Sequence, residues 1–258
     1  MKPTISSMDI DRTKNWRVLI YGKPGVGKTT AIRNLDGKTL VLDLDDSSKV
    51  LSGAPNIDVQ PFNRSKPSEE WKEFLKNLDE RVSGYDNLVI DNVSAFEKDW
   101  FVERGRYSKN GIGNEIQDYG QWTNYFSRIM TMIFMDAPVN VLVTAWENTR
   151  DVTSETGQSF SQYAPAIRDS VRDGLLGLTD VVGRVVVNPK TDGRGVILEG
   201  TDAIFAKNRL DNRKLVPIKD LFKFGSEKHD VPTTSVPAET GQSSAPKPGD
   251  GPQSGTNS

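Results

Sequence analysis

The chain has 258 residues, with 33 Lys and Arg against 35 Asp and Glu, one His and no Cys. Without cysteine it can form no disulfide, no thiolate zinc site and no cysteine nucleophile. The only histidine, His229, lies in a stretch rich in Pro, Gly, Ser and Thr, so we expect no histidine base inside a folded pocket. Carboxylates, Lys and Arg must therefore carry any catalysis.

The formal net charge is −2 at pH 7, which argues against a globally basic coat for nucleic acid or a membrane surface. Any site for a polyanion must be a local patch. No apolar stretch is long enough for a signal-peptide core or a bilayer span, so we expect no membrane association. With no cysteine to oxidise, a cytoplasmic protein is the default.

The composition changes sharply near the end of the sequence. Residues 229–258 contain 5 Pro, 4 Gly and 9 Ser or Thr and no aromatic residue, which predicts a disordered tail, because such a segment cannot bury enough apolar surface. Residues 1–15 form a polar lead-in. Residues 16–228 then have the size and composition of one α/β domain.

Within that domain, apolar runs alternate with amphipathic stretches. The runs at residues 17–21, 39–44, 87–91 and 140–145 predict strands, with a weaker edge strand at 57–60. Helices are expected at 29–35, from the cap Ser68 to Val82, from the cap Ser94 to Arg104, and at 115–135. Polar stretches at 105–114 and 148–163 predict exposed loops, and residues 180–187 and 195–199 a β-hairpin around Asp192-Gly193. The fold class is therefore α/β, a mostly parallel sheet flanked by helices, with a C-terminal β-hairpin extension and ligand chemistry at the strands' carboxyl ends.

A phosphate-binding pattern follows the first predicted strand. The segment Gly22-Lys23-Pro24-Gly25-Val26-Gly27-Lys28-Thr29 matches the P-loop pattern G-x-x-x-x-G-K-[ST] without a gap, and Thr30 completes the predicted nucleotide-binding set. Its glycines let backbone N–H groups converge on phosphate oxygens, and Lys28 can reach the β- and γ-phosphates. The hydroxyl of Thr29 would hold Mg²⁺.

A P-loop enzyme also needs a carboxylate near the metal, normally at the end of an apolar strand, and Asp91 fits this requirement. The next residue is Asn92 rather than Glu, so the water-activating carboxylate should come from elsewhere. Asp45 is the first candidate, with three substitutes: Asp43, Asp46 and Glu147.

Two further patterns concern nucleic acid. Tyr119, Trp122, Tyr125, Phe126, Ile129 and Ile133 recur at helical spacing, which favours packing against the sheet over base stacking. Residues 184–214 hold seven Lys or Arg against four acids, which suits a DNA track, a residue acting on a neighbouring subunit, or a solvated face. Arg150 and Arg168, which flank the second polar stretch, are candidate DNA contacts.

The sequence resembles a family. The P-loop, the strand Leu40-Val-Leu-Asp-Leu-Asp45, Asp91, Asp118-Tyr-Gly-Gln-Trp122, Val143-Thr-Ala-Trp-Glu147 and Ala206-Lys-Asn-Arg209 are similar to those of phage-encoded RecA-like, AAA-type P-loop ATPases. These are often called phage nucleotide-binding proteins, and some act as single-strand annealing recombinases. The resemblance covers about residues 16 to 215.

This resemblance implies roles and partners. Asp45 would be the catalytic acid, residues 144–147 would sense the γ-phosphate, and Lys207 and Arg209 would reach the nucleotide of a neighbouring subunit. It also implies ATP, Mg²⁺, single-stranded DNA on loops equivalent to 105–114 and 148–168, and self-association in a ring or filament. A phage single-strand-binding protein would be a partner, in the host cell cytoplasm.

The P-loop itself supports an alternative. Lys23 stands where the ParA and MinD ATPases, which act in partition or positioning, carry an additional lysine that crosses a dimer interface. Against this, the helix after the loop is short and Pro24 replaces the usual glycine. Nucleotide kinases would need an Arg-rich lid and GTPases an Asn-Lys-x-Asp segment, and neither pattern is found in the sequence.

Overall fold

Six parallel strands form the centre of the fold in the residues that the computed structural model describes, 4–153 and 157–225. These strands are β1 (Arg17–Gly22), β2 (Thr39–Asp43), β3 (Ile57–Pro61), β4 (Asn87–Asp91), β5 (Asn140–Thr153) and β7 (Val181–Val187). The antiparallel strands are β6 (Ser159–Pro165), β8 (Arg194–Ile197), β9 (Lys207–Asn208) and β10 (Leu215–Pro217). The main sheet order is β10-β8-β7-β1-β5-β4-β2-β3. The predicted tail, 229–258, lies outside the described residues.

Helices lie on both faces of this sheet, with the short first helix on one face and the other five on the opposite face. They are α1 (Lys28–Ala31), α2 (Pro67–Lys76), α3 (Leu78–Val82), α4 (Val93–Arg106), α5 (Ile116–Asp136) and α6 (Asp169–Leu178). The predicted mostly parallel α/β class is confirmed. The C-terminal β-hairpin is confirmed as well, because β7 and β8 pair antiparallel from Arg184 opposite Ile197 to Val187 opposite Arg194.

Strand β1 is buried on both of its faces. Leu19 and Tyr21 point into the core cluster that holds most of the aromatic side chains, whereas Val18 and Ile20 point into the cluster on the opposite face. A strand buried on both faces reads as a continuous apolar run. Trp122 and Phe126 of α5 are buried in the first cluster, so the expected packing of that helix on the sheet is confirmed.

The second predicted loop is wrong. Residues 148–153 continue β5 beyond the sheet, and they pair with β6 from Glu147 opposite Pro165 to Thr153 opposite Ser159, which forms a β-hairpin. Both faces of this hairpin are largely polar, so no alternation of apolar and polar residues marked it. Helix α6 was also missed, because Gly174 and Gly177 lower its helix propensity.

Two predicted helix caps are wrong as well. Asn92 caps α4 by accepting the Ala95 N–H at 2.9 Å, whereas the Ser94 hydroxyl accepts the Trp146 N–H at 2.9 Å. The helix expected after Ser68 begins at Pro67, and the Ser68 hydroxyl donates to Glu103. Each serine therefore joins its helix to a different element instead of capping it.

Candidate functional site

The phosphate loop connects β1 to α1, at the carboxyl edge of the sheet. Gly25 and Gly27 have φ of 80° and 98°, a left-handed conformation that favours glycine. Gly22 has a different constraint, since a Cβ there would lie 2.8 Å from the Val185 carbonyl oxygen. Strand, loop and helix thus occur in the order that a phosphate-binding loop requires.

Lys28 folds back over this loop. Its Nζ donates to the carbonyl oxygens of Gly22 at 2.9 Å and Lys23 at 3.0 Å. Burial lowers the pKa of Lys28, while the nearby carboxylates of Asp91, Asp45 and Glu147 oppose that shift. The ammonium group is therefore held over the loop by carbonyls that an incoming phosphate can replace.

Asp91 ends β4 and is surrounded by hydroxyl groups. Its Oδ1 accepts a short hydrogen bond from the Thr144 hydroxyl, and its Oδ2 accepts one from Ser47 Oγ at 3.3 Å. Ser47 Oγ also lies 3.2 Å from Thr29 Oγ1. Burial raises the pKa of Asp91. The two predicted metal ligands, Thr29 and Asp91, thus meet around one serine hydroxyl.

Asp45 lies at the same edge of the sheet. Its Oδ2 accepts a hydrogen bond from Asn92 Nδ2 at 2.7 Å, whereas its Oδ1 is buried without a hydrogen-bond partner among the described residues. Burial raises the pKa of this carboxyl, and Lys28 acts in the opposite direction. An unsatisfied buried oxygen is costly and calls for a water or a cation.

Hard oxygen donors of this kind suit Mg²⁺, which is usually held by one or two carboxylates together with substrate phosphates. The described residues contain no group of three or more carboxylate, His or Cys side chains that could cage a metal by themselves. The donor set of Thr29 and Asp91 therefore fits a metal that is completed by phosphate and water.

The substitutes for Asp45 have other contacts. Asp43 accepts the backbone N–H groups of Ser47 at 3.0 Å and Ser48 at 3.2 Å, so it shapes the turn that carries Ser47. Asp46 has a φ of 59° in the same turn. Glu147 is engaged by Arg184, whose Nε donates to Oε2 at 2.7 Å and whose Nη2 donates to Oε1 at 3.3 Å.

A large polar cavity of about 1090 Å³ lies beside this site, between the β5–β6 hairpin and the helices α4 and α6, and Glu147 is part of its lining. Lys98 Nζ lies 4.3 Å from the Trp146 ring centroid within it. The predicted DNA contacts, Arg150 and Arg168, both line the cavity. It is not uniformly basic, because Glu97, Asp151 and Asp169 line it too.

Both arginines of the cavity have local contacts. Arg150 donates through Nε and Nη2 to Gln162 Oε1 at 3.0 and 2.8 Å, on the opposite strand of the hairpin. The guanidinium of Arg168 lies over the Tyr119 ring, 4.6 Å from its centroid. Trp146 and Tyr119 thus place aromatic surfaces next to cations in this region.

The side chains of Lys207 and Arg209 contact the end of α6, and neither has a hydrogen bond to the phosphate loop among the described residues. The Lys207 ammonium makes a short hydrogen bond to the Leu176 carbonyl, and Arg209 Nη1 donates to the Gly177 carbonyl at 3.3 Å. Both side chains therefore bind the carboxyl end of α6, where cations stabilise the helix dipole.

Two residues of the site were not singled out as functional from the sequence. Ser47 lies in the turn after β2, and Arg184 appeared only within the count of basic residues. Their positions become visible only in the sheet, where β2 pairs with β4 and where β5 and β7 flank β1. Asp43 lies opposite Asp91 in the pairing of β2 with β4, which brings the Ser47 turn to the metal ligands.

Comparison with known proteins adds a family. A family model for an AAA domain matches residues 14–210, most of the chain. The chain belongs to this AAA domain family. A comparison with curated proteins found no match. No helix among the described residues is long and apolar enough to cross a membrane.

Two solved structures are similar to this chain. A KaiC-like protein of Pyrococcus horikoshii has 14% identity and a TM-score of 0.43, with 71% of this chain and 78% of that chain covered. The RadB recombinase has 12% identity and a TM-score of 0.43, with 71% and 80% covered. The phosphate loop follows β1 and Asp91 ends β4, within a mostly parallel sheet flanked by helices.

Proposed function

We propose that this chain binds ATP with Mg²⁺ at the phosphate loop, hydrolyses it, and acts on single-stranded DNA in phage recombination or replication. The observation that carries the ATPase part is the meeting of four side chains at one edge of the sheet. Lys28, Thr29 and Asp91 come together there beside Asp45, whose Oδ1 is buried and has no hydrogen-bond partner among the residues that the structure describes.

Each of these residues has a part in phosphoryl transfer. Backbone N–H groups of residues 25–30 and the Lys28 ammonium bind phosphate oxygens and offset their negative charge. Thr29 and Asp91 would hold Mg²⁺, which supplies further charge neutralisation when bound. Asp45 accepts a hydrogen bond from the attacking water, and its orientation is fixed by Asn92.

The DNA part is supported by the cavity beside Glu147. Lys98 lies over the Trp146 ring within it, and Arg168, which lines it, lies over the Tyr119 ring. Cations next to aromatic rings are the combination that binds the backbone and the bases of a single strand. Its acidic residues limit the attraction for the backbone phosphates, and the binding that its cations provide should weaken as the salt concentration rises.

The assembly is proposed on the resemblance alone. It comprises a ring or filament, a phage single-strand-binding protein as partner, and Lys207 and Arg209 acting on a neighbouring subunit in the host cytoplasm. Those two side chains would have to leave the carbonyls of α6 to do so.

The test is ATP turnover with and without single-stranded DNA, with the particle mass recorded in the same samples. Lys28→Ala is the control, because it removes the phosphate ligand from the same loop. We expect Mg²⁺-dependent turnover that the variant loses and that DNA changes several-fold. Equal turnover in both proteins would reject the ATPase. The DNA part alone would be rejected if DNA did not change the turnover and ATP did not change DNA binding.

One observation keeps the dimeric partition ATPase as a second candidate. The Lys23 side chain is exposed at the phosphate loop and has no hydrogen bond or ion pair among the described residues. A free cation at that position is what contact with a second subunit's nucleotide would require.

A further inference from the structure

The C-terminal β-hairpin contacts the phosphate loop directly. Strand β7 runs parallel to β1, with Tyr21 opposite Arg184, and β8 follows it through a tight turn. The first residue of β8 is Arg194, and its Nε donates to the Val26 carbonyl oxygen at 3.1 Å. A single side chain thus joins the hairpin to the tip of the loop.

The same arginine packs against Gly27. A Cβ on Gly27 would lie 2.9 Å from both Cδ and Nε of Arg194, so the guanidinium approaches the loop backbone as closely as glycine permits. Arg194 is exposed, and its two terminal nitrogens have no hydrogen bond or ion pair among the described residues. The group is therefore held at one end and free at the other.

An arginine in this position affects a bound phosphate in two ways. Its hydrogen bond to Val26 fixes one carbonyl of the loop, which favours the conformation in which the neighbouring N–H groups point at phosphate oxygens. Its charge remains beside the loop, where it attracts a polyphosphate.

We propose that Arg194 is a positioning residue of the nucleotide site, which acts within its own chain by holding the phosphate loop and adding positive charge beside it. This rests on the proposed nucleotide binding. The hairpin is thereby part of the site instead of an appendage to the sheet.

The experiment measures the affinity for Mg·ATP and for AMP by calorimetry, together with the melting temperature. Arg194→Ala is expected to weaken ATP binding about tenfold and AMP binding less, since the loss falls on the phosphates. Arg194→Lys keeps the charge without the planar donor and should recover part of the loss. Lys190→Ala is the matched control, because it removes a cation from the same turn and the Lys190 side chain has no hydrogen bond or ion pair with the loop among the residues that the structure describes.

The outcomes separate the inference from the proposed function. If the wild type binds ATP and Arg194→Ala binds it equally well, the inference alone is overturned. A change in the melting temperature without a change in the affinity for ATP has the same consequence. No ATP binding by the wild type overturns both. A loss of affinity that occurs only at protein concentrations where oligomers form contradicts action within the same chain, as does an equal loss in Lys190→Ala.

Discussion

The pair of Glu147 and Arg184 connects the two strands that flank the phosphate-loop strand, because β1 lies between β5 and β7. The two side chains are 5% and 14% exposed and share two hydrogen bonds of 2.7 and 3.3 Å. Replacing Glu147 with Gln removes the charge but keeps the size of the side chain. We expect this change to destabilise the fold next to the nucleotide site.

The magnitude follows from what Arg184 loses. Removing one partner of a buried ion pair costs about 3–5 kcal/mol, because the other charge stays buried and unpaired. Two contacts reduce this cost here: the Gln oxygen can still accept one hydrogen bond, and the guanidinium carbon lies 3.7 Å from the Tyr163 ring centroid. The expected loss in the free energy of unfolding is therefore about 2–3 kcal/mol.

Urea unfolding followed by fluorescence measures this loss. In the double variant Glu147→Gln, Arg184→Gln the unpaired charge is gone, so we expect it to recover about half of the stability lost in Glu147→Gln. Glu69→Gln is the control, because its pair with Lys66 is exposed and should be worth under about 1 kcal/mol. A loss in Glu147→Gln no larger than in the control, or a double variant with additive losses, would refute the reasoning.

The other predictions concern single residues. Asp91→Asn should lower Mg²⁺-dependent turnover at least about a hundredfold while ATP still binds; turnover near wild type would remove the metal role. Asp45→Asn should lower the turnover number far more than it changes the Michaelis constant, and unchanged turnover would return the assignment to the other acids. If the dimeric alternative holds, Lys23→Ala abolishes ATP-dependent dimerisation in sedimentation runs but spares nucleotide binding by the monomer. Burial lowers the pKa of Lys207 to about 8 from 10.5, so between these pH values the unfolded chain binds more protons than the folded chain. The free energy of unfolding of the wild type, relative to that of Lys207→Met, should therefore rise with pH in this range. A difference between the two proteins that does not change with pH would contradict the pKa shift.

The parts of the site that are contiguous in sequence could be predicted, and the parts that depend on the sheet could not. The phosphate loop is a single run of eight residues, and Asp91 ends a strand that is buried on both faces. Ser47, by contrast, lies in a polar turn without any pattern. Its role depends on the pairing of β2 with β4, which hydropathy alone does not specify.

The β5–β6 hairpin could not be predicted from the sequence for a different reason. Its strands pair over seven residues each, yet they carry polar side chains on both faces, so the pattern suggested a loop. The apolar burial that defines the other strands is absent because the hairpin extends past the edge of the parallel sheet. The segment that was expected to contact DNA from a loop therefore has a paired backbone, and Arg150 extends from a strand.

The basic stretch 184–214 shows that a count of charges does not define a surface. Three of its cations have carboxylate partners: Arg184 with Glu147, Arg213 with Asp211 and Lys214 with Glu199. Lys207 and Arg209 bind the carbonyls at the end of α6. At the β7–β8 turn, in contrast, Lys190 and the terminal nitrogens of Arg194 have no partner among the described residues, and Arg194 contacts the phosphate loop. The local excess of charge is therefore divided among several elements, and the share that borders the phosphate loop favours a bound nucleotide over a continuous DNA track.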